Sequence, residues 1–256
     1  MSEHVRYRKD GKIAYITLDR PPLNAYTTEM MRDLETIWID AQDDASVWVV
    51  VFSGAPGLPF SVGADMKVMF HGDELAARKS RPPAHQYLGE IEIWKPIIAA
   101  IDGYCLGGGM AMALGADLRI ASENATFGLT MIKRGLFPTG ATQWLPRMIP
   151  RAVAMEMLLI GDSITAQRAY ELGLVNKVVS QEQLMPAAIE MAERIAENPP
   201  LGVQAIKKLA HLGMNEPFDE AVRQGWALYE QSLSTEDVEE GSKAFRERRK
   251  AVYRGR

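Results

Sequence analysis

The sequence has a single cysteine, Cys105, so no intrachain disulfide and no cysteine-rich metal site can form. Histidine is scarce too: His4, His71, His85 and His211 are scattered and share no ligand spacing. There is no surplus of positive charge. The formal net charge of −4 gives no attraction to nucleic acid or anionic lipid, so an anionic ligand must be held by a local site. The opening MSEHVRYRKDGK is polar and lacks an apolar core, so no secretory signal is read and a cytoplasmic location is expected. One weakly charged stretch, 97–118, is long enough to be taken for a membrane span. It contains Asp102 and five glycines, and it splits into a β-rich half and a Gly/Ala/Met half. A buried strand leading into a tightly packed helix fits it better, and no membrane partner is expected.

What is present points to an α/β fold. The 256 residues, 47% hydrophobic, suit one large domain or one domain with a short appendage. The runs IAYITL (13–18) and VWVVVF (47–52) read as buried strands. Between them Met30, Met31, Leu34, Ile37, Trp38 and Ala41 recur at helical spacing behind Thr27 or Thr28 as N-cap. A third strand at 97–101 precedes a glycine-rich helix, and such alternation implies a mostly parallel sheet. After residue 150 helices take over. One at 152–160 ends at Gly161, one capped by Thr165 stops at Gly173, and one around 184–195 stops at Pro199 and Pro200. Further helices are expected at 202–212, 218–233 and from Ser234 through Phe245. The expected division is an αβ core over 1–190 and a helical region over 191–256.

The most informative segment is GYCLGGGMAMALGAD, 103–117. Consecutive glycines between a strand and a helix are costly to order, and make sense where something approaches the backbone closely. Free N–H groups at a helix start form a site for negative charge; close helix–strand packing explains small residues equally well. Phosphate loops are excluded, because neither G-x-x-x-x-G-K-[ST] nor G-x-G-x-x-G is matched. A second small-residue turn, PFSVGADMKVM (59–69), follows the VWVVVF strand. Two such turns can aim two N–H donors at one oxygen, the arrangement that stabilises an oxyanion.

With these segments in place the chain resembles the crotonase (enoyl-CoA hydratase/isomerase) superfamily over nearly its whole length. The resemblance rests on ITLDRPPLNAYTTEM, FSVGADMK, KPIIAAIDGYCLGGGMAMALGADLRIA, ATFG, AMEMLLIGDSITAQRAYELGLVNKVV and EEGSKAFRERRKAVY, in that order. It implies a spiral ββα core, a helical trimerisation region and an acyl-CoA thioester as ligand. It also implies that the backbone N–H groups of Ala64 and Gly108 hold the thioester oxygen. Ala25, Asp65, Met66 and Lys67 would then lie along the coenzyme A portion. No metal or redox cofactor is expected, coenzyme A being part of the substrate. A homotrimer or dimer of trimers is the assembly implied.

The chain departs from the family's pattern where hydratases carry two glutamates. The position after the triple glycine is Ala111, and the F-G-x-x-E run reads FGLTM, which puts Met131 at the second place, beside the acyl group. No carboxylate occurs between Asn124 and Glu156, so no local realignment restores the second glutamate. A lost acid–base group costs about 10²–10⁴ in rate. Replacements are sought in HQYLGEIEIW, with Glu90 first and His85 second, Tyr87 and Glu92 behind them, and in the hydroxyls of Thr130 and Thr139. Each of these is more commonly a surface or packing residue. Asp117 is read as a cap or anchor of the glycine helix, a structural role, and Cys105 as packing. An enzyme stabilising a thioester enolate with non-standard acid–base residues is the reading preferred; a non-catalytic acyl-CoA binder is the alternative.

Overall fold

The computed structural model describes residues 3–73 and 92–256. The large sheet has six strands in the order β1-β2-β3-β4-β6-β9. They are β1 (Val5–Asp10), β2 (Ile13–Leu18), β3 (Val49–Gly54), β4 (Ile97–Ile101), β6 (Leu118–Ser122) and β9 (Lys177–Val179). β1 and β2 form an antiparallel hairpin, and every other pairing in this sheet is parallel. β3 and β4 are apolar almost throughout because the sheet is covered on both faces.

One face packs on helix α1 (Thr28–Asp43), opened by Thr27, whose hydroxyl accepts the Met30 N–H at 3.3 Å. Met30, Leu34, Ile37, Trp38 and Ala41 are its buried stripe. Trp38 and Phe60 flank Phe52 edge-on, with centroid separations of 5.4 and 5.1 Å. On the other face Val49, Val51, Ile98, Ala100 and Ile120 cluster with the alanines of α7 (Leu184–Ala196).

A second sheet joins β5 (Tyr104–Leu106), β7 (Thr126–Gly128) and β8 (Ile164–Thr165). It is prolonged by single bridges, Ser61 to Cys105 and Tyr26 to Ala64. Successive passes of the chain therefore repeat one pattern: a strand in the large sheet, a short segment in the second layer, then a helical turn. β2, residues 24–26 and α1 make one pass; β3, residues 61–64 and α2 (Met66–Met69) the next; β4, β5 and α3 (Gly108–Leu114) a third. This is the spiral that the resemblance implied.

The C-terminal half continues with α4 (Thr139–Met148), α5 (Arg151–Ile160), α6 (Ala166–Glu171), α7, α8 (Pro200–Leu212), α9 (Phe218–Ser232) and α10 (Glu236–Glu247). Pro200 opens α8 as its first residue, so the proline pair both ends one helix and starts another. Residue 190, the expected division, falls inside α7, whose Ala188, Ala192 and Ala196 pack on the large sheet; the helix belongs to the core through its last turn. No helix among the described residues is long and apolar enough to cross a membrane.

Candidate active site

The two small-residue turns meet. Gly63 lies so close to α3 that a Cβ on it would stand 2.8 Å from the Gly108 nitrogen and 3.1 Å from the Leu106 carbonyl oxygen. Its φ of +93° also favours glycine. The bridge to Tyr26 fixes which way the adjoining N–H faces. The Tyr26 N–H donates to the Gly63 carbonyl at 2.9 Å, and the Asp65 N–H donates to the Tyr26 carbonyl at 2.9 Å. In a parallel bridge this leaves the N–H of Ala64, between them, pointing away from the Tyr26 strand. Among the described residues no protein acceptor takes the N–H of Ala64 or that of Gly108. Paired donors of this kind suit an oxygen that gains negative charge.

Each glycine of the triplet has its own reason. Gly107 takes φ +55° and its N–H donates to the Gly128 carbonyl at 2.8 Å. At Gly108 a Cβ would lie 2.1 Å from the Tyr26 hydroxyl, and at Gly109 2.5 Å from the Ser61 carbonyl oxygen. The far end of α3 is closed by buried Arg119, whose guanidinium donates to the carbonyls of Ala113 (3.1 Å), Ala116 (2.6 Å) and Leu174 (2.6 Å). A cation on the C-terminal carbonyls complements the helix dipole and holds α3 in place.

Ala25, Asp65, Met66 and Lys67 are the residues expected along coenzyme A. Arg20 ties two of them together, donating to the Ala25 carbonyl at 2.7 Å and pairing with Asp65 at 2.8 Å. Asp65 is also the N-cap of α2, accepting from the Lys67 and Val68 N–H groups. Burial opposes the charge of Asp65; the Arg20 pair and the backbone donors outweigh it and hold the carboxyl below the usual range. Met66 and Lys67 are exposed beside it.

Ala111 is buried one turn into α3, its N–H donating to the Gly107 carbonyl at 3.1 Å. Met131, half-buried on the 3₁₀ turn Thr130–Arg134, brings its Cε to 3.8 Å from where a Cβ of Gly107 would stand. Ala111 and Met131 therefore do approach the triplet, one along α3 and one across it. Thr130 is half-buried on the same turn, whereas Thr139 is exposed where α4 begins. Glu90, His85 and Tyr87 lie outside the described residues, and Glu92 is exposed. Asp117 does not cap α3: it accepts the Ile97 N–H at 2.7 Å and pairs with Lys207 at 2.8 Å, tying α8 to the start of β4. Cys105 is wholly buried, which pushes its thiol far above the usual range, as suits packing.

Sequence reasoning missed Tyr26, Gly63 and Asn24. Asn24, fully buried with φ +49°, accepts the Arg20 N–H at 2.7 Å and donates to the Pro59 carbonyl at 2.7 Å, tying the 20–24 segment to the start of the 59–69 turn. Its place in LNAYT was the only local signal.

This architecture is shared with solved enoyl-CoA hydratases. That of Bacillus anthracis superposes with a TM-score of 0.92 at 32% identity, covering 99% of this chain and all of its own (100%). One from Mycobacterium tuberculosis H37Rv gives 0.91 at 34%, covering 100% of both chains. Residues 8–256 match the enoyl-CoA hydratase/isomerase family, and the chain belongs to it. Among its relatives, the (E)-benzylidenesuccinyl-CoA hydratase of Thauera aromatica is 44% identical over 245 residues, 95% of this chain and 96% of that one. The carnitinyl-CoA dehydratase of Escherichia coli strain K12 is 36% identical over 262 aligned positions, with full coverage of both (100%).

Proposed function

We propose that this protein binds an acyl-CoA thioester with its carbonyl oxygen between the N–H groups of Ala64 and Gly108, and acts on the α- and β-carbons through the resulting enolate. The observation that carries this is the close approach of Gly63 to the Gly108 nitrogen, which brings the two turns together with both N–H groups untaken by any acceptor among the described residues. Each preorganised donor is worth about 10²–10³ in rate when charge develops on the oxygen. Ala25, Asp65, Met66 and Lys67 flank the coenzyme A portion, with Asp65 acting through the shape it gives the α2 turn.

Addition or loss of water on a substituted enoyl-CoA is the reaction favoured, since the relatives at 44% and 36% identity are named for a hydratase and a dehydratase of acyl-CoA compounds. Ala111 and Met131 cannot transfer protons, so the acid–base work falls to other groups, and Glu90 is proposed for the water at the β-carbon. Met131 forms part of the wall against the acyl group.

Calorimetry with acetyl-, crotonyl- and benzoyl-CoA tests the binding. Saturable binding is expected, lost in Gly108→Pro because proline removes the donor itself. Glu90→Gln should keep that affinity and lower turnover. A folded protein that binds none of these thioesters contradicts the reading. Tight binding without turnover on any thioester would favour a carrier or sensor instead, a role that Ala111 and Met131 would suit.

A further inference from the structure

The 3₁₀ turn Thr130–Arg134 carries Met131, yet it has no fully buried residue of its own to fix where it lies. It is steadied by the stretch that follows α5. At Gly161 a Cβ would stand 2.6 Å from the Ile132 Cγ2 and 3.4 Å from the Lys133 Cγ. Beside it Lys133 pairs with Asp162. The same stretch supports β7. Phe127 and Thr126 pair with Ile164 and Thr165, and a Cβ on Gly128 would stand 2.4 Å from the Ser163 hydroxyl oxygen. The Gly128 carbonyl in turn accepts the Gly107 N–H at 2.8 Å.

Gly161 is itself firmly held. It is buried, and its N–H donates to the Met157 carbonyl at 3.1 Å, closing a helix whose Ala154, Met157 and Leu158 are buried. Its φ of +76° explains why glycine ends that helix; it does not explain why Ile132 rests on it. Gly173 draws the distinction, with a φ of +77° and nothing within 4 Å of its Cβ. The 130–134 turn thus meets α5 through Ile132. It meets the glycine triplet through Met131, whose Cε lies 3.8 Å from where a Cβ of Gly107 would stand. The gap between α5 and the turn is therefore coupled to the space in front of the triplet. Of the two ties to α5 the apolar contact is the firmer, because both partners of the Lys133–Asp162 pair are exposed and such pairs contribute little.

We infer that Gly161 is a positioning residue for acyl selectivity: having no side chain, it lets the 130–134 turn settle against α5 and so sets how far Met131 reaches toward the acyl group. The inference rests on the thioester reading above, with Met131 as part of the acyl wall. A methyl group at 161 would push Ile132 off α5 and drive the turn toward the triplet. The space would narrow, so that small acyl groups are favoured over bulky ones. The donors at Ala64 and Gly108 would stay as they are.

The test compares affinities for acetyl-CoA and benzoyl-CoA by calorimetry in the wild type, Gly161→Ala and Gly173→Ala. It repeats the comparison in Met131→Ala with and without Gly161→Ala. In Gly161→Ala the ratio of benzoyl-CoA to acetyl-CoA affinity should fall at least ~10-fold, the scale of one methylene in an apolar pocket. Acetyl-CoA affinity and the infrared shift of its bound carbonyl should be kept. Gly173→Ala carries the same backbone strain and should keep the ratio. Because Gly161 acts through Met131, its effect should vanish in the Met131→Ala background, whereas a merely structural role would give the same loss in both backgrounds. Should Gly161→Ala not fold, Ile132→Ala takes its place, and the ratio should rise as the turn withdraws. A ratio within about threefold of the wild type in the variant that folds would overturn the assignment. An equal fall in Gly173→Ala, or an effect that persists without Met131, would do the same. An unchanged ratio in Met131→Ala would overturn it while leaving the donor site standing. Binding of neither thioester by the wild type would overturn the thioester reading and the assignment together.

Discussion

The narrowest tolerances in this molecule belong to single atoms. Gly63 has no room for a methyl group, since its Cβ would stand 2.8 Å from a backbone nitrogen and its φ is +93°. Gly63→Ala should therefore part the two turns. Strain of about 1–3 kcal/mol is typical for such a backbone, so the fold should survive while thioester affinity drops at least ~10-fold. Gly57→Ala makes a fair control. It also has positive φ (+82°), but nothing lies within 4 Å of its Cβ, so it should cost stability without touching affinity. Equal affinity for Gly63→Ala and wild type in calorimetry would mean that the contact of the turns does not shape the ligand site. None of this was readable in the sequence beyond the presence of small residues. The partners of Gly63 and Gly108 lie far away along the chain, and Tyr26 carries no pattern linking it to the glycine triplet.

At the scale of elements, legibility tracked length and periodicity. The stripe of α1 and its Thr27 cap, the buried runs of β2 and β4, the Thr165 cap of α6 and the Gly161 stop of α5 follow directly from side-chain spacing and capping chemistry. The strands of the second sheet were invisible because they are two or three residues long, too short to show alternation. The boundary at 190 missed because alanines on α7 face the sheet, and an alanine-rich helix face does not announce what covers it. The short helix α2 depends on Asp65 for both its cap and its link to Arg20. Asp65→Asn keeps a capping oxygen but loses the charge paired with Arg20, so it should cost about 1 kcal/mol of stability or less and weaken coenzyme A binding, measured by denaturant unfolding and calorimetry. The pH dependence has a definite sign. Because its folded-state pKa is lowered, the stability Asp65 contributes is present above the unfolded value near 4 and lost as pH falls through the folded one. The wild type should thus lose more stability than Asp65→Asn between pH 5 and 3; parallel curves would contradict this.

For the whole molecule, the surface left over by the core is informative. α9 has no buried residue, and Phe218, Val222, Trp226, Tyr229 and Leu233 are all exposed, Phe218 at 81% and Trp226 at 62%. An apolar face of this extent is uncommon on a monomer. A homotrimer or dimer of trimers is the expected assembly, with Trp226→Glu shifting it toward smaller species in light scattering. A wild-type chain that remains monomeric at micromolar concentration would contradict the expectation.

On the proposed function, this member of the enoyl-CoA hydratase/isomerase family has a working thioester site with alanine at 111 and methionine at 131. The most direct measurement is hydration of crotonyl-CoA, followed beside its binding to the same preparation. The prediction is saturable binding with slow hydration, and a rate at least ~10²-fold higher when Ala111→Glu and Met131→Glu are combined. Rapid hydration of crotonyl-CoA by the unaltered protein would contradict it.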